Sequence, residues 1–153
     1  MNKEDFFKND YLSLLEKIPE SQTRAWGVLS LQGMIEHMTD SIGIGWKRVQ
    51  FPIQYSEEIT AKSKAFMLSD KPFKPGTKNS LMSETEEPLR CKNINEAKEE
   101  LKNEIKEFLN FWKKNPDSQV TNPFFGELNY QEWLHLLHKH AVHHLKQFGI
   151  EQQ

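Results

Sequence analysis

The stretch from Asn129 to Gly149, NYQEWLHLLHKHAVHHLKQFG, states where a helix begins, where it ends and which way it faces. Asn129 can cap the first turn, and Glu132, three residues on, can reach back to close a capping box. Leu128 and Trp133 take the two positions of a hydrophobic staple. Lys146 in the last turn suits the negative end of the helix dipole, and Gly149 can adopt the left-handed conformation that ends helices. These signals predict a helix of about five to six turns at roughly 3.6 residues per turn.

The same stretch holds five of the six histidines in the chain. With side chains placed about 100° apart, Leu134, Leu137, Ala141, Leu145 and Phe148 form one apolar arc. His144 falls at its edge beside Leu137, and His140 lies next to Trp133. His135, His138, Lys139, Val142 and Lys146 are expected on the opposite, mostly charged face, with His143 between. Within this helix His140 and His144 are four apart, which stacks two imidazoles on one side as a single metal ion requires. Such a pair supplies two of the three or four ligands needed, and interior histidines also serve as ordinary hydrogen-bonded core residues. A third ligand decides between these readings, and the remaining histidine is His37.

A chain of 153 residues is long enough for one domain with a core and too short to expect two. Four Trp and ten Phe supply large apolar surfaces to a modest set of helices. A net charge of −2 without a basic patch argues against a nucleic-acid partner. The single cysteine, Cys91, excludes an internal disulfide and fits a reducing compartment. The charged opening MNKEDFFKND does not read as a signal peptide, and no apolar run approaches membrane length. A cytoplasmic protein without membrane association is expected.

Elsewhere the periodicity predicts a helix over 3–18, with Phe7, Tyr11, Leu14, Leu15 and Ile18 on one face and Pro19 ending it. Ser30 is the expected N-cap of a second helix through about Val49, with Leu31, Met34, Ile35, Met38 and Ile42 inside and Pro52 closing it. His37 lies on the flank of that stripe, between the small residues Gly33 and Ser41, which leave room beside the ring. A short third helix is expected over 56–68, with Ile59, Ala61, Ala65 and Phe66 as its apolar residues. Residues 69–92 carry Pro72, Pro75, Gly76, Asn79 and Pro88 without periodicity, a loop whose length suits either a lid or an excursion. Asn93 and Glu96 form a second capping box before the stripe Ala97, Leu101, Ile105, Phe108, Leu109 and Trp112. No strand-period alternation is visible, so the fold class is all-α: a bundle of four principal helices, one short helix and a long Pro-containing loop.

Taken together, HxxHHLKQFG (His140 to Gly149), the preceding NPFFGELNYQEW and LxGMIEHM at residues 31–38 resemble the DinB-like (YfiT-like) metalloenzyme superfamily. The likeness is to a branch whose members carry an HPFFG-type segment before the last helix, and it runs through essentially the whole chain. The resemblance implies a four-helix bundle of a bacterial protein with a three-histidine site for a divalent metal, zinc or nickel. One ligand comes from the second helix and two from the last, which here means His37, His140 and His144. Gln147 matches the glutamine of the family's HHxxQ pattern and is expected to support a ligand or touch substrate. Asn122 stands where related sequences often carry histidine, so any work done by that histidine is altered in this chain.

The resemblance further implies transfer of a low-molecular-weight thiol to an electrophile, or amide or ester hydrolysis, with a small molecule as partner. A hydrolase needs a general base, and Asp40, three residues after His37, is a better placed acid than Glu36, which points about 100° away. Glu132 is expected to be occupied by the capping box. Cys91 has no base or helix terminus implied beside it and is expected to be inert. Non-catalytic metal binding, or a bundle whose apolar faces form a homodimer, is the alternative.

Overall fold

A computed structural model of the chain describes residues 2–76 and 88–151. Part of the 69–92 loop, including Asn79, lies outside the described residues, and with it the expectation of a lid there. The protein is mostly helical: α1 (Lys3–Asp5), a π turn (Phe6–Asp10), α2 (Tyr11–Glu16), α3 (Leu31–Ile44), α4 (Glu57–Leu68), α5 (Ile94–Lys114) and α6 (Tyr130–Gln147). Among the described residues no helix is long and apolar enough to cross a membrane.

The first helical segment is not the regular helix expected. A π turn adds a residue to one turn, and this places both Phe6 and Phe7 in the core ahead of Tyr11, Leu15 and Ile18. Leu14 is only partly covered as a result. α3 begins as its sequence suggests, with the Ser30 hydroxyl accepting from the Gly33 amide at 3.0 Å. Leu31, Met34, Ile35, Met38 and Ile42 are all buried, and α3 packs along α5. It ends at Ile44, earlier than the Val49 expected and well before Pro52. Beyond Gly45 the amides of Arg48 and Val49 fold back onto the Gly43 carbonyl, and Lys47 takes a positive φ of 72°. The indole of Trp46 and the guanidinium of Arg48 both reach the carboxylate of Glu104 on α5, at 2.8 and 2.6 Å. Those tertiary bonds, invisible to periodicity, pull the chain off the helix axis.

α4 is rotated relative to the expected face. Thr60 and Met67, seven apart, are its buried residues, while Ile59 and Phe66 remain exposed. Its neighbours α6 and β2 hold it through Lys64, whose ammonium bonds the Glu127 carbonyl and pairs with Glu132. In α5 the stripe is buried as expected at Ala97, Leu101, Ile105, Phe108 and Trp112. Asn93 caps it by accepting from Glu96 N, without the reciprocal bond of a full box.

The expectation of no strands fails over a short span. Val120–Asn122 (β1) pairs antiparallel with Gly126–Leu128 (β2), with Val120 opposite Leu128. The turn is made by Asn122, whose side-chain oxygen accepts from the amides of Phe124 and Phe125 at 2.8 and 3.2 Å. The hairpin delivers the chain directly to α6, where the full Asn129/Glu132 capping box is present. The Trp133 indole bonds the Val120 carbonyl, tying helix to hairpin, and Gly149 ends the helix with a φ of 90°.

Candidate metal centre

α3 and α6 come together so that His37, His140 and His144 face one another. Their nearest ring nitrogens all lie within 4.8 Å of each other. His140 Nε2 sits 3.0 Å from His37 Nε2 and 2.9 Å from His144 Nε2. His144 is buried, while His37 and His140 each keep some surface. The pairing of the two α6 rings follows from their spacing of four; that of His37 with them is a product of the bundle.

The protonation of the cluster can be worked out from its edge. The carbonyl of Trp26 can only accept, so the Gln147 amide turns its Nε2 to it, donating at 2.8 Å. Gln147 Oε1 therefore faces His144 Nδ1 at 2.8 Å, and since that oxygen can only accept, Nδ1 carries the proton. Burial, reinforced by His37, holds the His144 pKa down at about 3, so the ring is neutral and its Nε2 presents a lone pair. Burial likewise lowers His37 and pushes His140 well below the ordinary imidazole value, with the neighbouring imidazoles adding to the effect on His140.

His140 Nε2 is thus within hydrogen-bonding distance of two nitrogens but has only one N–H or one lone pair to offer. Protons alone cannot satisfy both contacts with linear bonds. A divalent cation would accept all three lone pairs at once, and neutral imidazoles suit zinc, copper, iron and nickel alike. The residues present fit such an ion.

A family model for the DinB superfamily matches residues 6–148. The chain belongs to the DinB superfamily. Comparison with curated proteins and with solved structures gave no match. In this DinB chain His37, His140 and His144 form a group that could hold a metal ion.

The structure also locates the other candidate residues. Gln147 is 3% exposed and bonds His144 and Trp26, so it orients the His144 ring. Gly27 has a φ of +80°, and a Cβ there would lie 2.9 Å from Gln147 Nε2; a glycine lets the Trp26 carbonyl and the amide approach. Asp40 is close enough for its charge to act on His37, yet its oxygens pair with Arg90 at 3.1 Å and Arg48 at 3.5 Å. Glu36 is buried and committed to the amide of Arg90 and the side chain of Gln32. Asn122 spends its oxygen on the hairpin turn. Cys91 is buried, its thiol 3.5 Å from a Glu100 oxygen, and burial and that carboxylate raise its pKa to about 11.

The mostly charged face of α6 carries His135, His138 and Lys139, and other segments partly cover it. His138 lies edge-on to Phe6 with ring centroids 4.7 Å apart, and its Nε2 is buried with no partner among the described residues. Burial, with help from Lys3, holds its pKa down at about 4. Helical angle alone could not reveal that α1, the π turn and the segment after α4 fold over this side.

Proposed function

We propose that this DinB-superfamily protein is a metal-dependent enzyme that brings a low-molecular-weight thiol to an electrophilic small molecule. The observation that carries the proposal is the convergence of three neutral imidazole nitrogens on one point, with the His144 tautomer set by Gln147. His37, His140 and His144 would hold a divalent ion, zinc or nickel. Such an ion supplies Lewis acidity, which draws the pKa of a thiol or water beside it down towards neutrality. Three protein ligands leave room for a further, exchangeable one, as catalytic rather than structural sites do.

The arrangement of carboxylates favours a thiol over water as the nucleophile. Hydrolysis wants a positioned general base. Asp40 and Glu36 are drawn away by Arg90, and Glu132 by the cap and Lys64. A thiol, with an ordinary pKa near 8.5, needs far less help to reach its reactive anion than water does. Cys91, protonated and buried, does not compete for the electrophile.

Elemental analysis of the purified protein is the first experiment: about one equivalent of metal is expected, lost in His37→Ala and His140→Ala. Turnover of monobromobimane with candidate thiols by the metal-loaded protein then distinguishes an enzyme from a non-catalytic binder. Metal content unchanged in both variants would falsify the assignment of the site.

A further inference from the structure

Alongside the ligand pair, α6 carries a second series of side chains four apart, His135, Lys139 and His143, which share one helix face. All three reach the backbone that follows α4. His135 Nε2 lies 3.2 Å from the Ser69 carbonyl, which can only accept. The Lys139 ammonium donates to the carbonyls of Ser69 at 2.8 Å, Lys71 at 2.5 Å and Phe66 at 3.4 Å. His143 is near enough to the Phe73 backbone for that backbone to oppose the lowering of its pKa by burial. The carbonyls of Phe66 and Ser69 lie at the carboxyl end of α4, where the helix dipole favours a cation.

This ladder lays the strap 69–73 across α6 and puts the Phe73 ring against the triad. Its centroid is 6.4 Å from that of His140 and 6.2 Å from that of His143, edge to face in both cases. Phe125 stacks on it at 6.4 Å, and the Lys139 ammonium stands 5.5 Å from the Phe73 centroid. The ring is only partly buried, between Phe66, Phe125 and the α6 histidines, and polar bonds from His135 and Lys139 hold the strap that carries it, which makes it the movable wall of the site.

We propose that Phe73 gates access to the histidine triad and that Lys139 is the positioning residue that keeps the gate closed. The proposal rests on the metal reading above for its zinc measurement only. The experiment has two arms. In metal-free protein, carbethoxylation of His140 by diethylpyrocarbonate is followed site by site by mass spectrometry. In a second arm, zinc loading and its removal by a chromophoric chelator are followed by stopped flow.

Phe73→Ala, which removes the ring itself, and Lys139→Met, which removes a tie to the strap, are each expected to raise both rates at least roughly tenfold, the change that losing any one of the Lys139 bonds would give. The zinc Kd should stay within about twofold, because loading and release accelerate together. Lys139→Arg should restore most of the closure, and Lys146→Met, on the exposed side of α6, should change neither rate. Unaltered His140 reactivity in Phe73→Ala overturns the proposal. So does faster zinc release with unchanged loading, since that marks a support for the ligands rather than a gate. If Lys139→Met does not fold, Phe73→Ala decides alone; if no zinc binds, the carbethoxylation arm still decides and the failure belongs to the metal reading.

Discussion

Replacing Gln147 with leucine separates what holds the fold from what prepares the site. The side chain is 3% exposed and makes two bonds of 2.8 Å, one to His144 Nδ1 and one to the Trp26 carbonyl. Leucine is of similar size but leaves the buried N–H of His144 and the half-buried C=O of Trp26 without this partner. A buried orphan costs about 1–3 kcal/mol and the half-buried carbonyl less, so the metal-free variant should lose about 1–4 kcal/mol of stability. That is a large share of the roughly 5–15 kcal/mol typical of a whole domain. The same change frees the His144 ring to carry its proton on Nε2, and zinc affinity should fall by about 10–100-fold. Gln147→Glu divides the two effects. A carboxylate still accepts from His144 Nδ1, so zinc binding persists, but it faces the Trp26 carbonyl with another acceptor and stability still falls. Urea unfolding of the metal-free proteins and zinc titration against a competing chelator measure the two quantities. A leucine variant within about 0.5 kcal/mol and about twofold in Kd of the parent would refute the protonation argument for the whole cluster.

Three further outcomes follow from the same geometry. The folded pKa values of His144, at about 3, and His138, at about 4, lie below the unfolded value near 6.5, and those of His37 and His140 are lowered too. Above pH 6.5 both states hold neutral rings; below it the unfolded chain binds protons that the folded one refuses, so metal-free stability should fall from pH 6.5 down to 3–4. Urea midpoints that stay level between about pH 7 and pH 5 would contradict this. His138→Leu should stabilise the protein by about 1–3 kcal/mol, since it removes a buried nitrogen without a described partner, and thermal melts at neutral pH would show the rise. Cys91, with a pKa of about 11, should be on the order of one part in a thousand thiolate at pH 8, so iodoacetamide should label it far more slowly than free cysteine; labelling at the free rate argues against the buried placement.

Local chemistry made much of this protein legible in its sequence. A cap, a return bond and a terminal glycine are interactions among near neighbours, so the limits of α6 could be read directly. The stacking of His140 on His144 needed only helical geometry. α3 shows where such reading stops: its core stripe was clear, but its end was decided by bonds from Trp46 and Arg48 to Glu104, some 56 to 58 residues away. The hairpin was missed because Asn122 and Gly126 build a turn between strands too short to show alternation.

The histidine cluster divides along the same line. Periodicity nominated His140 and His144 as a pair, and resemblance supplied His37, because nothing within reach of His37 along the chain marks it as a ligand. Only the packing of α3 and α6 brings the third ring to 3.0 Å from its partner. The same packing withdrew Asp40 to Arg90 and set His135 and Lys139, on the mostly charged side of α6, as a clamp on the strap carrying Phe73. A side chain's angle on its own helix is fixed by backbone geometry, whereas what lies opposite depends on chain segments far away in sequence.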